Sequence, residues 1–171
     1  MNQHCIRYET DTRLYADSAS EVTLEVTYLG SITETLLFKI NGSKQKGEND
    51  TVCVTSESSS NPELITVSSV RIRQTGVGWT KNDGWGIKEI SLETHPGSGK
   101  YQPYSLSANE TRFWTDGDDS CLEDEHKEFL CCANQDWCSL EKVQSTTEGN
   151  TIVCIYVSYL NINCKKLSVS W

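Results

Sequence analysis

Residues 21–28 read EVTLEVTY, and after a break at Gly30-Ser31 the chain resumes its pattern at LLFKI, 36–40. Val22, Leu24, Val26 and Tyr28 fall on one side of a pleat, with Glu21, Thr23, Glu25 and Thr27 on the other. That period of two marks a strand with one face buried and one in water. Leu36, Phe38 and Ile40 continue it past the turn, so 21–40 reads as a β-hairpin.

Working outward, TVCVT (51–55) and LITV (64–67) are β-branched runs parted by the breaker SESSSNP. SVRIRQ (69–74) sets Val70 and Ile72 against two arginines, and GWGIKEISLE (84–93) turns Ile90 and Leu92 inward. Turn-forming TGVG, KNDG and HPGSG lie between. Short strands at this spacing predict a mainly β chain, an antiparallel β-sandwich. One segment differs. CLEDEHKEFLCCANQDWC (121–138) has helix formers, and Leu122, Phe129, Leu130 and Trp137 could form an apolar stripe, which predicts a short helix. TIVCIYVSYLNI (151–162) is apolar on both faces and reads as a strand buried on two sides, and LSVSW is again strand-like. The expected organisation is a sandwich over 1–117 with a cysteine-rich extension, 118–171, of a short helix plus strands packed on it.

The bulk composition narrows the function classes. With 171 residues, 36% of them hydrophobic, the chain can bury one core or a sandwich with an appendage. No apolar run approaches the roughly 18 residues of a spanning helix. The stretch MNQHCIRYET has no signal-peptide pattern, as a processed chain would also lack one. A net charge of −9 speaks against nucleic acid as a partner and against simple adsorption to anionic lipid. Eight cysteines, an even number, predict disulfides, and N-x-Ser/Thr sequons at Asn41, Asn49 and Asn109 sit in polar sequence suited to glycans. Together they point to a secreted, extracellular glycoprotein.

The order of strands and turns over residues 5–117 resembles the PLAT domain (polycystin, lipoxygenase, alpha-toxin), a sandwich of two four-stranded sheets. CIRYET is similar to its first strand, YADSAS to its small-residue turn and EVTLEVTYLG to its second strand. SVRIRQTGVGWTKNDGWGIKEISLE resembles the strand, loop and strand segment whose tryptophan, here Trp85, packs in the core. GKYQPYSLSANETRFW resembles its closing segment, with Tyr101, Tyr104 and Trp114. Cys5, Cys53 and the region beyond 118 depart from that family. The resemblance implies a non-catalytic module that docks on lipid surfaces or protein partners. It makes TGVGWTKND a loop tip with Val77 and Trp79 as candidate contacts, although Trp79 could equally pack back on the sandwich. No cofactor is expected. A calcium ion could use Asp116, Asp118 and Asp119 in DGDDSCLEDE, although the loop order of a dedicated calcium site is missing and a solvated face is the simpler reading.

CCANQDWC (131–138) tests the enzyme reading. As a zinc knuckle its spacing is poor. It resembles the C-C-x-x-H-D-x-C helix of secreted phospholipases, but Gln135 stands where the general base belongs, and an amide cannot take up a proton at neutral pH. A disulfide staple remains. Adjacent Cys131 and Cys132 should reach different partners, tying the helix to the strands that carry Cys154 and Cys164. One partition joins Cys121, Cys131, Cys132, Cys138, Cys154 and Cys164 among themselves and pairs Cys5 with Cys53 across the sandwich, one of roughly a hundred pairings. His4, His95 and His126 are scattered, and no nucleophile elbow, phosphate loop or H-E-x-x-H occurs. The expected function is a secreted, disulfide-stabilised binding module. Two alternatives stand beside it: a subunit of an extracellular filament assembling through strand edges, and an inactive phospholipase-like or toxin-associated protein.

Overall fold

A computed structural model describes residues 1–13, 18–41, 44–57, 61–75, 84–116, 130–133, 137–144, 151–155 and 163–167. In chain order these give β1 (Asn2–Thr10), β2 (Glu21–Leu29), β3 (Thr33–Ile40), β4 (Asn49–Ser56), a 3-10 turn at Pro62–Leu64 and β5 (Thr66–Thr75). There follow β6 (Trp85–Glu93), β7 (Tyr101–Ser105), β8 (Phe113–Thr115), β9 (Leu130–Cys132), β10 (Cys138–Lys142), β11 (Thr151–Ile155) and β12 (Asn163–Leu167).

Ten of these strands join in the order β3-β2-β5-β10-β7-β6-β1-β4, with β8 on β6 and β9 on β8. Among the described strands only the β8–β9 pair is parallel. The path folds over on itself into two layers, and β10 is the hinge between them. Its residues Cys138–Leu140 pair with Ile72–Val70 of β5, while Glu141 and Lys142 pair with Ser105 and Tyr104 of β7. The other ends of the layers are tied by a hydrogen bond from Ser56 Oγ on β4 to Glu34 Oε2 on β3.

The alternation places the core between the layers. Val22, Leu24, Val26, Leu36, Phe38, Ile40, Val70 and Ile72 face Ile6, Tyr8, Trp85, Ile87, Ile90, Leu92 and Phe113. Strict alternation cannot turn both Ile87 and Ile90 inward. A register shift between Glu9 and Thr10 resolves this: Glu9 pairs with Glu89 and Thr10 with Ile87, so Lys88 is the extra residue of a β-bulge. A second shift lies at Thr27/Tyr28, where β2 passes Ser68. It lets LITV and SVRIRQ, read as separate runs, merge from Thr66 into the ten-residue β5.

The structure differs from the sequence reading in the extension and in the disulfides. Of the stretch expected to be a short helix, residues 130–132 and 138 are strand, and 121–129 and 134–136 lie outside the described residues. Pairing with β8 and β5 satisfies their backbone groups, which outweighs helix propensity in so short a segment. Cys132 bonds Cys138 within the same segment, not a later strand. Cys131 is also disulfide-bonded. Cys5 bonds Cys53, but between neighbouring strands of one layer, where they are register partners, and not across the sandwich. Further on, β11 pairs with β12 in a separate two-stranded sheet that sets Cys154 opposite Cys164.

Candidate functional site

At one end of the sandwich β1, β3, β5 and β8 finish and β2, β4 and β6 begin. Here the interior turns polar: Thr10, Asp11, Ser18, Ser20, Lys44, Gln74, Thr115 and Asp116 are all buried. Lys44 is 0% exposed; its Nζ donates to the Ser20 carbonyl at 2.5 Å and lies 5.4 Å from the Trp85 ring. Trp85 Nε1 donates to Thr10 Oγ1 at 3.1 Å, and Thr115 Oγ1 to Gln74 Oε1 at 2.6 Å. Buried polar groups persist only when partnered, and these fix the roots of the loops.

The expected loop tip leaves from this end, between Thr75 and Gly84. Val77 and Trp79 themselves lie outside the described residues, as do Asp118, Asp119, Cys121 and His126. Asp116 is buried, packed so closely on Gly84 that an added Cβ would meet its Oδ2 at 3.0 Å. Asp11 is engaged by Arg13 at 3.1 Å and Arg112 at 3.9 Å. Among the described residues no group of three or more His, Cys, Asp or Glu could hold a metal.

The opposite end carries what the sequence reading missed. Leu29, Ile32 and Leu64 are 44%, 59% and 70% exposed. Leu29 is the register partner of both Thr33 and Thr66, Ile32 occupies the tight β2–β3 turn, and Leu64 closes the 3-10 turn that leads into β5. The three therefore project from adjacent connections. Glu34, Glu57 and Glu63 flank them. A signal was present for Ile32 alone, which follows the break at Gly30-Ser31; Leu64 belonged to the run LITV.

Beneath this end His4 is buried, 3% exposed, with its ring 4.2 Å from that of Tyr28 and its Nε2 without a hydrogen-bond partner. Burial pushes its pKa below the usual 6.5, against the pull of Glu34 and Glu93. Since the unfolded chain takes up this proton more readily, stability is complete above about pH 6.5 and falls as pH drops below it. Thermal unfolding of the wild type should therefore weaken from pH 7 to 5.5, and His4→Phe should flatten that slope. An unchanged slope would remove His4 as its cause.

Two open hollows mark the flanks. One, of ≈ 470 Å³, lies on the outer face of β4, β1 and β6 and is lined by Glu9, Asn49, Glu89 and Tyr101, with the Arg7 guanidinium 3.8 Å over the Tyr101 ring. The other, of ≈ 440 Å³, opens where β5 and β7 part beyond β10, with Ile65, Leu92 and Tyr104 beside Glu93, His95 and Lys142. Among the described residues no Ser, Thr or Cys side chain is hydrogen-bonded to a histidine. Asn41, Asn49 and Asn109 are all exposed.

No protein-family model and no curated protein sequence matches the chain. Solved structures do. A lipoxygenase variant in complex with arachidonate aligns over 67% of this chain and 16% of its own, at 14% identity and a TM-score of 0.47. Coral 8R-lipoxygenase, described as calcium-activated through a C2-like domain, aligns over 66% and 16%, at 10% identity and a TM-score of 0.44. Alpha toxin from Clostridium absonum aligns over 60% and 29%, at 10% identity and a TM-score of 0.43. The chain spans less than a third of the length of each. The aligned part is 60–67% of this chain, which itself forms a mainly antiparallel β-sandwich.

Proposed function

We propose that this chain is a non-catalytic docking module that meets its target through the end bearing Leu29, Ile32 and Leu64. The observation that carries the reading is that three of the exposed large aliphatic side chains, Leu29, Ile32 and Leu64, gather on adjacent connections, whereas Leu37 and Leu130 are exposed singly on strands elsewhere. Water penalises such a cluster, and burying each side chain would return about 1.5–3 kcal/mol. The occupant that fits best is a neutral lipid interface, because Glu34, Glu57 and Glu63 would repel an anionic membrane. A protein surface with an apolar centre is the other target of this kind. Val77 and Trp79, in the stretch between Thr75 and Gly84, are a second candidate contact. The disulfides and exposed sequons support an extracellular, glycosylated protein. Assembly through strand edges is the weaker alternative: β3 and β4 end the path of strands, but Glu34 and Ser56 tie those edges to each other.

Flotation with phosphatidylcholine vesicles tests this directly. Ile32→Asp with Leu64→Asp should weaken binding by roughly 30-fold or more while the melting temperature is kept, since both side chains are exposed. Undiminished binding by the double variant would remove this end from the docking surface. Light scattering that finds stable multimers would favour the assembly reading.

A further inference from the structure

The outward face of the β3-β2-β5-β10 layer carries a feature that the docking end does not use. Trp137 stands immediately before β10, its neighbour Cys138 fixed to Cys132 by a disulfide. Two guanidinium groups lie over its ring, Arg73 at 4.6 Å and Arg71 at 5.3 Å from the centroid. Arg71 is already neutralised, its Nε 2.9 Å from Glu25 Oε1. Arg73 is not. Its Nε is buried without an acceptor, and no carboxylate among the described residues lies within ion-pair range of it.

Lys39 belongs to the same row. Thr23 on β2 is the register partner of Lys39 on β3 and of Arg73 on β5, so the two cations flank one small residue on the same face. Two interstrand spacings put their backbones about 10 Å apart, within joint reach of one oxyanion for side chains of this length. Lys39 too is exposed and lacks a carboxylate partner among the described residues.

We infer that Arg73 and Lys39, with Trp137 as a wall, form a binding site for a phosphate group. The guanidinium offers a planar fork of donors matched to phosphate oxygens, and the ammonium adds a point charge from the other side. The indole over Arg73 shields that side from water and strengthens the guanidinium's contact. The phosphate could belong to a soluble phosphorylated molecule or to a lipid headgroup. The site lies on a different surface from the aliphatic end and does not depend on it.

The test is an NMR titration of the full chain with inorganic phosphate at constant ionic strength, following the Trp137 indole N–H, with chloride as the control. Saturable shifts are expected, about tenfold weaker in Arg73→Gln and severalfold weaker in Lys39→Gln. The latter does not touch Trp137 and so guards against a merely unmoored indole. Lys100→Gln, on the β6–β7 hairpin, should bind as the wild type does. Vesicles of phosphatidylcholine with phosphatidic acid form a second arm. Binding there that Arg73→Gln abolishes assigns the headgroup as the source, and binding to the free ion alone assigns a soluble ligand; either upholds the site. Shifts that chloride reproduces, or affinities unaltered in both Arg73→Gln and Lys39→Gln, would overturn it. Loss of vesicle binding on Ile32→Asp with Leu64→Asp, with the phosphate titration intact, separates failure of one surface from failure of the other.

Discussion

Trp85→Ala is expected to lower the free energy of unfolding by about 3–5 kcal/mol, a large share of the roughly 5–15 kcal/mol of a typical domain. The ring is 0% exposed, stands edge-on to Tyr8 with centroids 5.4 Å apart, and packs beneath the buried Lys44. Removing it opens a cavity, leaves Thr10 Oγ1 without the indole donor and strips the ammonium of its aromatic neighbour. Trp85→Phe should recover most of the loss, keeping the packing and forfeiting the hydrogen bond. Urea unfolding of the three proteins measures both differences. A loss below about 1 kcal/mol for the alanine variant would mean that the polar belt, not the ring, holds that end together.

The Cys5–Cys53 disulfide should be worth nearly as much. Its cysteines are 48 residues apart, so by loop entropy its removal costs about 4 kcal/mol, against about 2 kcal/mol for Cys132–Cys138, separated by only 6. Cys5 and Cys53 lie on the outward face of β1 and β4, where paired serines leave no core cavity. The prediction is therefore one of order: Cys5→Ser with Cys53→Ser should be the more destabilising double substitution in urea. The reverse order would show that the short loop fixes β10 in a way that chain entropy does not capture.

These two features differ in how far the sequence exposed them. Trp85 stood in the strand pattern and in the resemblance to the PLAT domain, and it sits in the core. The inward turn of Ile90 and Leu92 was legible from alternation, but that of Ile87 required the bulge at Glu9/Thr10, which depends on a partner strand 80 residues away. The extension was the hardest part. Helix formers around 121–138 gave a local signal, whereas β9 and β10 form because β8, β5 and β7 offer unpaired backbone, and nothing in the local sequence states that. Leu29 and Leu64 illustrate the same limit at the surface. Each looked like part of a strand run, and only the chain's path shows that both emerge beside Ile32. Arg71 and Arg73 were read as the wet face of a strand; that Trp137 returns from more than 60 residues on to cover them is again a tertiary fact.

The measurement that bears most directly on docking by one end is hydrogen exchange with and without phosphatidylcholine vesicles. The account predicts slowed exchange confined to residues 29–33 and 62–66, with the β1–β6 core unchanged. Protection elsewhere with none at those two connections, or no protection anywhere under saturating lipid, would contradict it.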